Sequence, residues 1–316
     1  MLRLQAIGPR GFVEDKWEIA LGTDPRTALP VPASQPGAVK LEKTADAFVV
    51  RGGNYAVTIN AVTGQFSAPF SGPELMLLPR NGDSCGGIQM LGKEKEVTIL
   101  SDACHGWKAE TVTAETTADG VVVQIKGAYT EAAGSYTCRF GNDGTIAIAY
   151  EFTLTAKGKC DPRQTGIVFR LPQDSRTLSW RRNAHWSAYP LDHIGRDQGT
   201  APAFMAGVPL SGLAGPRAKP TWHWSADANQ YGSNDFRSTK MNVFEAALLS
   251  PAGKGLRILS DGTQHVRSWV DGNSVNLLVA DYTNHGSPSF FNEHVIPYRP
   301  LTPGSVVKGT VRLEIR

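Results

Sequence analysis

The sequence predicts an all-β chain with many strands in large packed sheets, and three observations support this. Short runs rich in β-branched residues recur along the whole length, turn chemistry separates them, and no stretch keeps an amphipathic helical period for three turns. The runs are Phe48 to Val50, Tyr55 to Ile59, Val121 to Lys126, Thr145 to Leu154, Val275 to Val279 and Val311 to Ile315, and several alternate apolar with polar residues. Between them lie Arg51-Gly52-Gly53-Asn54, Asp119-Gly120, Asn142-Asp143-Gly144, Asp261-Gly262 and Asp271-Gly272-Asn273, residues that tolerate the backbone angles of tight turns. Asp261 to Trp269 reads as a hairpin turn followed by a strand. Met241 to Ser250 has some helical propensity and reads equally well as a strand. Gly 33 and Pro 20 among 316 residues fit many turns and few long helices. No short-period repeat appears, which excludes a solenoid or propeller.

Composition narrows the class. Hydrophobic residues at 41% and charged residues at 19% suffice for a buried core and exclude compositional disorder. No run approaches the ~20 apolar residues of a bilayer span, so no membrane role is expected. Lys+Arg 32 against Asp+Glu 29 leaves +3, too balanced for a chain that grips a phosphate backbone, so no nucleic-acid partner is expected. Such a surface suits a neutral polyol, as it suits many other ligands. The cysteines Cys85, Cys104, Cys138 and Cys160 form no CxxC pair and are expected to be buried or free thiols, with one bridge possible. Met1 to Gln5 lacks the apolar stretch of a signal peptide.

One boundary is visible. Residues 24–37 carry four prolines (Pro25, Pro30, Pro32 and Pro36), the composition of an extended linker or strap. Residues 1–23 ahead of it are too few to fold alone and read as the end of a preceding domain: Leu2 to Ile7, a turn at Gly8-Pro9-Arg10-Gly11, then Val13 to Leu21. Residues 38–316 form the main body. Gly207 to Pro220 reads as a long surface loop.

Two stretches gather the residue types that hold sugars. The first, Trp180 to Arg196, includes His185, Trp186, Tyr189, Asp192 and His193; the second includes Trp222, Trp224, Asn234, Asp235 and Arg237. Sugars present C–H faces that stack on indole rings and hydroxyls that bond Asn, Asp, Arg and His. The histidines are scattered, without the convergence a metal needs, and neither metal nor cofactor is expected. The candidate carboxylates Asp192, Asp235, Asp261 and Glu293 show no spacing that marks a glycosidase pair. GxSxG, P-loop and dinucleotide-binding motifs are absent from the sequence.

Taken in order, these stretches resemble the C-terminal part of glycoside hydrolase family 2 β-galactosidases, a large antiparallel β-supersandwich related in fold to galactose mutarotase. Trp17 to Leu21 and the proline segment are similar to the exit from that family's immunoglobulin-like domain, which would make residues 1–37 its terminal strand plus linker. Phe48 to Phe66 is similar to the opening hairpin, and Leu77 to Asp83 to the following loop near the active-site mouth. Tyr189-Pro190 with Asp192 matches part of a Gly-Pro-x-Glu-Asn-Tyr-Pro-Asp motif, and Asn229 to Arg237 resembles a Gln-Glu-Asn-Gly-x-Arg-x-Asp-x-Arg stretch. His285 to Ser289 stands where the family lends a tryptophan to the sugar, with Gly286 at the Trp position.

The resemblance implies that the nucleophile and acid/base glutamates belong to a TIM-barrel domain this chain does not contain. The chain would then be an ancillary domain that binds carbohydrate, a galactoside or a plant or algal polysaccharide fragment, and shapes the cleft of an upstream barrel. The expected carbohydrate contacts are Asp83, His185, Trp186, Tyr189, Asp192, Trp222, Trp224, Asn234, Asp235, Arg237 and His285. Two alternatives stay open. One is an epimerase-like or lyase-like enzyme using His185, His193, His265 or Glu293 as acid and base. The other is a free carbohydrate-binding module with Trp186, Trp222 and Trp224 as its platform.

Overall fold

The computed structural model describes residues 2–19, 21, 37–79, 104–155, 162–184, 197–205, 239–283 and 299–316, and every regular element among them is a strand. β1 (Leu2–Ile7) and β2 (Val13–Ile19) form a hairpin of their own. A meander follows through β3 (Lys40–Lys43), β4 (Ala47–Arg51), β5 (Ala56–Asn60), β6 (Phe66–Ala68) and β7 (Ser71–Pro79). A second meander comprises β8 (Lys108–Thr117), β9 (Gly120–Ala128), β10 (Ala132–Gly141) and β11 (Ile146–Leu154). Then come β12 (Pro162–Pro172), β13 (Thr177–Arg182), β14 (Gln198–Pro202), β15 (Phe204–Met205), β16 (Lys240–Leu249), β17 (Gly255–Asp271), β18 (Ser274–Thr283) and β19 (Val306–Ile315).

Pairing sorts these strands into two arrays. One runs β8-β9-β10-β11-β19, the other β7-β12-β18-β17-β16-β13-β14. All pairs are antiparallel except the short contact of β15 with Trp269-Val270 of β17. The expected all-β antiparallel body is therefore present. The period-2 text of β11 shows why: Ile146, Ile148, Tyr150, Phe152 and Leu154 are buried, while the intervening residues are half-buried or exposed. The buried set joins one continuous core with Val123, Cys138, Ile167, Leu277 and Val311 from both arrays. Phe152, fully buried among Trp107, Tyr129 and Tyr136, is a keystone; truncation to alanine costs about 3–5 kcal/mol.

β17 joins the arrays and corrects one expectation. Its Leu256–Leu259 stretch pairs with β19, and its His265–Asp271 stretch pairs with β18. The Asp261-Gly262 signature, expected to reverse the chain, lies inside the continuous strand. Asp261 Oδ1 accepts the Thr263 N–H at 3.1 Å and its hydroxyl at 2.5 Å, so the local turn chemistry is present. It kinks the strand from one partner to the other without turning it back. Gly262 is required there: its φ is +94°, and a Cβ would meet the Phe244 ring at 2.7 Å.

Other expectations hold. Turns occur at Gly52 to Asn54, at Ala118-Asp119, at Asn142 to Gly144 and at Gly272-Asn273, and the ambiguous segment from Met241 is strand β16. Cys104 and Cys138 are buried free thiols. Cys85, Cys160, most of the proline segment and Gly207 to Pro220 lie outside the described residues.

Candidate functional site

Polar side chains concentrate on β12, β16, β17 and β18. Gln164, Thr165, Lys240, Gln264, Arg267, Ser268 and Asn276 are all buried, although strands in a sandwich ordinarily bury apolar residues. Gln164, fully buried, donates from Nε2 to Thr239 Oγ1 at 3.0 Å and to Thr283 Oγ1 at 3.4 Å. It thereby ties the start of β12 to the residue before β16 and to the last residue of β18. Arg267, also fully buried, lies with its guanidinium 4.7 Å from the Trp269 ring centroid, a desolvated cation–π pair. Trp269 stands directly opposite Asn276 of β18. Next to this group, Lys240 lies 4.9 Å over the Trp180 ring, and Arg182 bonds the Met241 carbonyl at 3.4 Å. Burial pulls the Arg182 guanidinium down to about 10, and Asp197 opposes the shift.

Four buried polar atoms have no hydrogen-bond partner among the described residues on these strands: Gln164 Oε1, Thr165 Oγ1, Ser260 Oγ and Trp269 Nε1. A fifth, Tyr55 Oη, lies elsewhere. Buried polar groups are nearly always satisfied, so each of these atoms is a binding signal, with Gln164 and Thr165 at the Tyr282–Thr283 end of β18 and Trp269 opposite Asn276 towards its other end. The set mixes donors and acceptors, and a polyol hydroxyl can serve as either.

Two titratable groups are set here by local backbone irregularities. Asn242 is in the left-handed region, φ 57°, and its N–H is donated to His265 Nδ1 at 3.1 Å. In the neutral imidazole this puts the ring proton on Nε2, making that nitrogen a donor. Asp281 is the extra residue of a bulge: Thr165 faces Tyr282 and Gly166 faces Ala280, so Asp281 has no residue opposite it. Its carboxylate accepts the Tyr150 hydroxyl at 2.5 Å and the Gln264 amide at 2.8 Å. Burial raises its pKa above the ordinary carboxylate value, against the bonds from Tyr150 and Gln264 and the Arg299 charge. Gly309 of β19 leaves the space it occupies, since a Cβ there would lie 2.0 Å from Asp281 Oδ2.

Of the residues expected from sequence, His265 and Asp261 lie among those described: His265 is half-buried against Asn242, and Asp261 is exposed with its carboxylate bonded to Thr263. Asp83, His185, Trp186, Tyr189, Asp192, His193, Trp222, Trp224, Asn234, Asp235, Arg237, His285 and Glu293 lie outside the described residues. The chain connects them closely to the cluster. Ala184 precedes 185–196, Thr239 follows 206–238, Thr283 precedes 284–298, and Pro79, paired with Pro162 of β12, precedes 80–103. Gln164, Arg267, Trp269 and Asp281 were not singled out from sequence. Strand alternation alone puts Arg267 and Trp269 on one face, but only the pairing with β18 shows that Trp269 stands opposite Asn276.

A His–carboxylate pair lies elsewhere. His105 Nδ1 is 3.0 Å from Glu131 Oε1, and its backbone N–H is donated to Glu131 Oε2 at 2.8 Å. Glu131 is buried and fastens the residues ahead of β8. No group of three His, Cys, Asp or Glu able to hold a metal occurs among the described residues.

No protein-family model matches the chain, and no curated protein matches it. Solved structures do. The galactosidase domain of an α-galactosidase–sucrose kinase aligns at TM-score 0.47 and 10% identity over 88% of this chain and 42% of that one, so the present chain spans less than half of it. A galactose mutarotase-like protein from Clostridium acetobutylicum aligns at TM-score 0.39 and 10% identity over 89% of this chain and 99% of that one. A galactose mutarotase related enzyme from Lactobacillus acidophilus aligns at TM-score 0.33 and 10% identity, covering 88% and 97%. At these scores and identities the likeness concerns fold alone and carries no argument about what this chain does.

Proposed function

We propose that residues 38–316 form a carbohydrate-engaging domain that accompanies a glycoside hydrolase of β-galactosidase type, with the bond-breaking carboxylates on a neighbouring barrel. The observation that carries this reading is the set of buried polar atoms on β12 and β17 without a partner among the described residues, which includes the Trp269 indole N–H beside the Arg267 guanidinium. A sugar supplies what such a site needs: hydroxyls that donate and accept, and C–H faces for an indole. The domain's contribution is positioning, since groups fixed on paired strands orient a ring for carboxylates held elsewhere. Trp186, Trp222, Trp224, Asp83, Asp192, Asn234, Asp235, Arg237, His185, Tyr189 and His285 belong to the segments that flank this cluster in sequence and would complete it.

The test is affinity electrophoresis through galactan and algal polysaccharide gels, run beside an aryl β-galactoside assay. Retardation that Trp186→Ala weakens, with no hydrolysis above buffer, is the expected pair of results. Strong turnover by the chain alone, or no retardation on any glycan, would refute the reading. A second reading rests on His265. Its Nε2–H donor would supply one half of the acid–base set of an aldose epimerase, with His185, His193 or Glu293 as the other half, since Asp281, bonded to Gln264, lies on the opposite face of β17. Anomer exchange of galactose followed by NMR, unchanged from buffer, removes that version.

A further inference from the structure

The outer face of the β8-β9-β10-β11-β19 array carries a groove that lies apart from the cluster on β12 and β17. β11 reads Ile146-Ala147-Ile148-Ala149-Tyr150: the isoleucines and the tyrosine are buried, and the two alanines face outward. Alanine is depleted in strands, where threonine or valine packs better. Here it keeps a low floor between two taller strands. On β10, Thr137 stands opposite Ala149 and Arg139 opposite Ala147; on β19, Thr310 stands opposite Ala149 and Arg312 opposite Ala147. One step along, Glu151 is flanked by Ser135 and Lys308. Strand spacing sets the two walls ~10 Å apart and puts Lys308 ~13 Å along β19 from Arg312. A hollow of about 380 Å³ lies over Ala149, and a second of about 540 Å³ adjoins it over Ala147.

Charge selects the occupant. Arg139, Lys308 and Arg312 make no ion pair or hydrogen bond among the described residues, and the two arginines bracket the small Ala147. Glu151 closes one end of the groove, and Asp119 and Asp143 line the far end of the second hollow. An anionic group is thus favoured between those ends, over the alanine floor, where guanidinium groups suit oxyanions. The hydroxyls of Ser135, Thr137 and Thr310 can donate to or accept from a ligand dense in hydroxyls. An acidic peptide fits less well. Both edges of β10 and of β11 are already paired, so no strand can be added there, and an alanine floor offers no pocket for an anchoring side chain. A nucleic-acid strand would find no exposed aromatic ring among these residues to stack on. We infer that this groove binds an anionic polysaccharide along β11, with a sulfate ester or uronate carboxylate held between Arg139 and Arg312. The groove is a second site, on the other array from the Gln164 and Trp269 atoms, and it stands or falls without them.

The experiment is fluorescence anisotropy on the 316-residue chain with two labelled probes, a sulfated galactan fragment and an oligogalacturonate. At least one binds saturably at ~50 mM salt and several-fold more weakly at ~200 mM, and which one binds tells sulfate from carboxylate. Excess neutral galactan fragment, the ligand expected at the β12–β17 atoms, does not displace it. Arg312→Gln weakens binding roughly two- to fivefold, and Arg139→Gln/Lys308→Gln/Arg312→Gln on the order of tenfold or more. Ala147→Leu, which fills the floor and keeps every charge, also weakens it. Lys254→Gln, the same loss of charge at the β16–β17 turn, leaves it unchanged. Unchanged urea midpoints show that the variants are folded. No binding of either anionic probe, an unweakened triple variant, an equal loss in Lys254→Gln, displacement by neutral galactan, or equal binding of DNA or polyglutamate strands of the same charge would each overturn the inference.

Discussion

Replacing Gly309 with alanine sets two effects against each other at the Asp281 carboxylate. Strand propensity alone makes the change favourable by roughly 0.5–1 kcal/mol, because glycine loses more backbone freedom on folding. The structure opposes it. The new Cβ would sit 2.0 Å from Asp281 Oδ2, so the carboxylate must move and release the Tyr150 hydroxyl it holds at 2.5 Å. Gln264 is cushioned, since its amide also reaches the Thr310 carbonyl at 3.0 Å. Tyr150 is not, because its ring is buried in the core at 2% exposure. A hydrogen bond to a charged group is worth about 1.5–3 kcal/mol net, and a stranded buried hydroxyl costs about 1–3 kcal/mol more. After the propensity gain is subtracted, Gly309→Ala should destabilise the chain by about 2–5 kcal/mol. In a Tyr150→Phe background the carboxylate has no hydroxyl to lose, so the same substitution should cost about 1 kcal/mol or less. Urea unfolding followed by circular dichroism measures both. A neutral or stabilising Gly309→Ala, or an undiminished cost beside Phe, refutes the argument.

The raised carboxyl of Asp281 binds protons more tightly in the folded chain than in the unfolded one. Its stabilising contribution is therefore complete below the ordinary value of 3.8 and is lost as pH rises through the raised folded value. Wild type should lose stability relative to Asp281→Asn across that window in urea unfolding at stepped pH, and the opposite slope contradicts the assignment. Glu314, fully buried, holds Arg257 at 2.9 Å and Arg316 at 3.3 Å. Glu314→Leu should cost about 3 kcal/mol, the low end for breaking a buried pair, because Glu245 still holds Arg257 at 2.7 Å; a change within ±0.5 kcal/mol in the same assay would contradict the role given to the pair. Burial pushes the Cys104 and Cys138 thiols up. In a Cys85→Ser/Cys160→Ser protein they should react with Ellman's reagent only after denaturation, so rapid native labelling would count against their placement.

Strands whose text alternates could be read directly. β11 shows the strict period from Ile146 to Leu154, and its pairing with β10 follows from the turn at Asn142 to Gly144, whereas its pairing with the distant β19 is not announced locally. β16 was ambiguous because Glu245, Ala246, Ala247, Leu248 and Leu249 are good helix formers, and pairing with β13 and β17 overrides that weak local preference. Asp261-Gly262 misled for a related reason: an aspartate-capped kink and a hairpin turn share the same local chemistry, and only the partner strands distinguish them. The site was harder still. Sequence reasoning favours polar, aromatic connecting segments, whereas the described cluster is built from strand interiors. Gln164 and Arg267 look like ordinary outward-facing residues until register shows them buried. Asp281 turns inward only because of a bulge, which nothing in Ala280-Asp281-Tyr282 announces.

The claim that β12, β17 and β18 carry a sugar site is tested most directly at the Trp269 indole. An indole N–H NMR titration with galactose, galactobiose and algal oligosaccharides, with the Trp269 signal assigned by its loss in Trp269→Phe, reports on that buried donor. Saturable movement of this resonance with at least one glycan, while the Trp17 signal stays still, is the predicted result. A Trp269 signal unmoved by every glycan, or one that moves only in step with Trp17, would contradict the account.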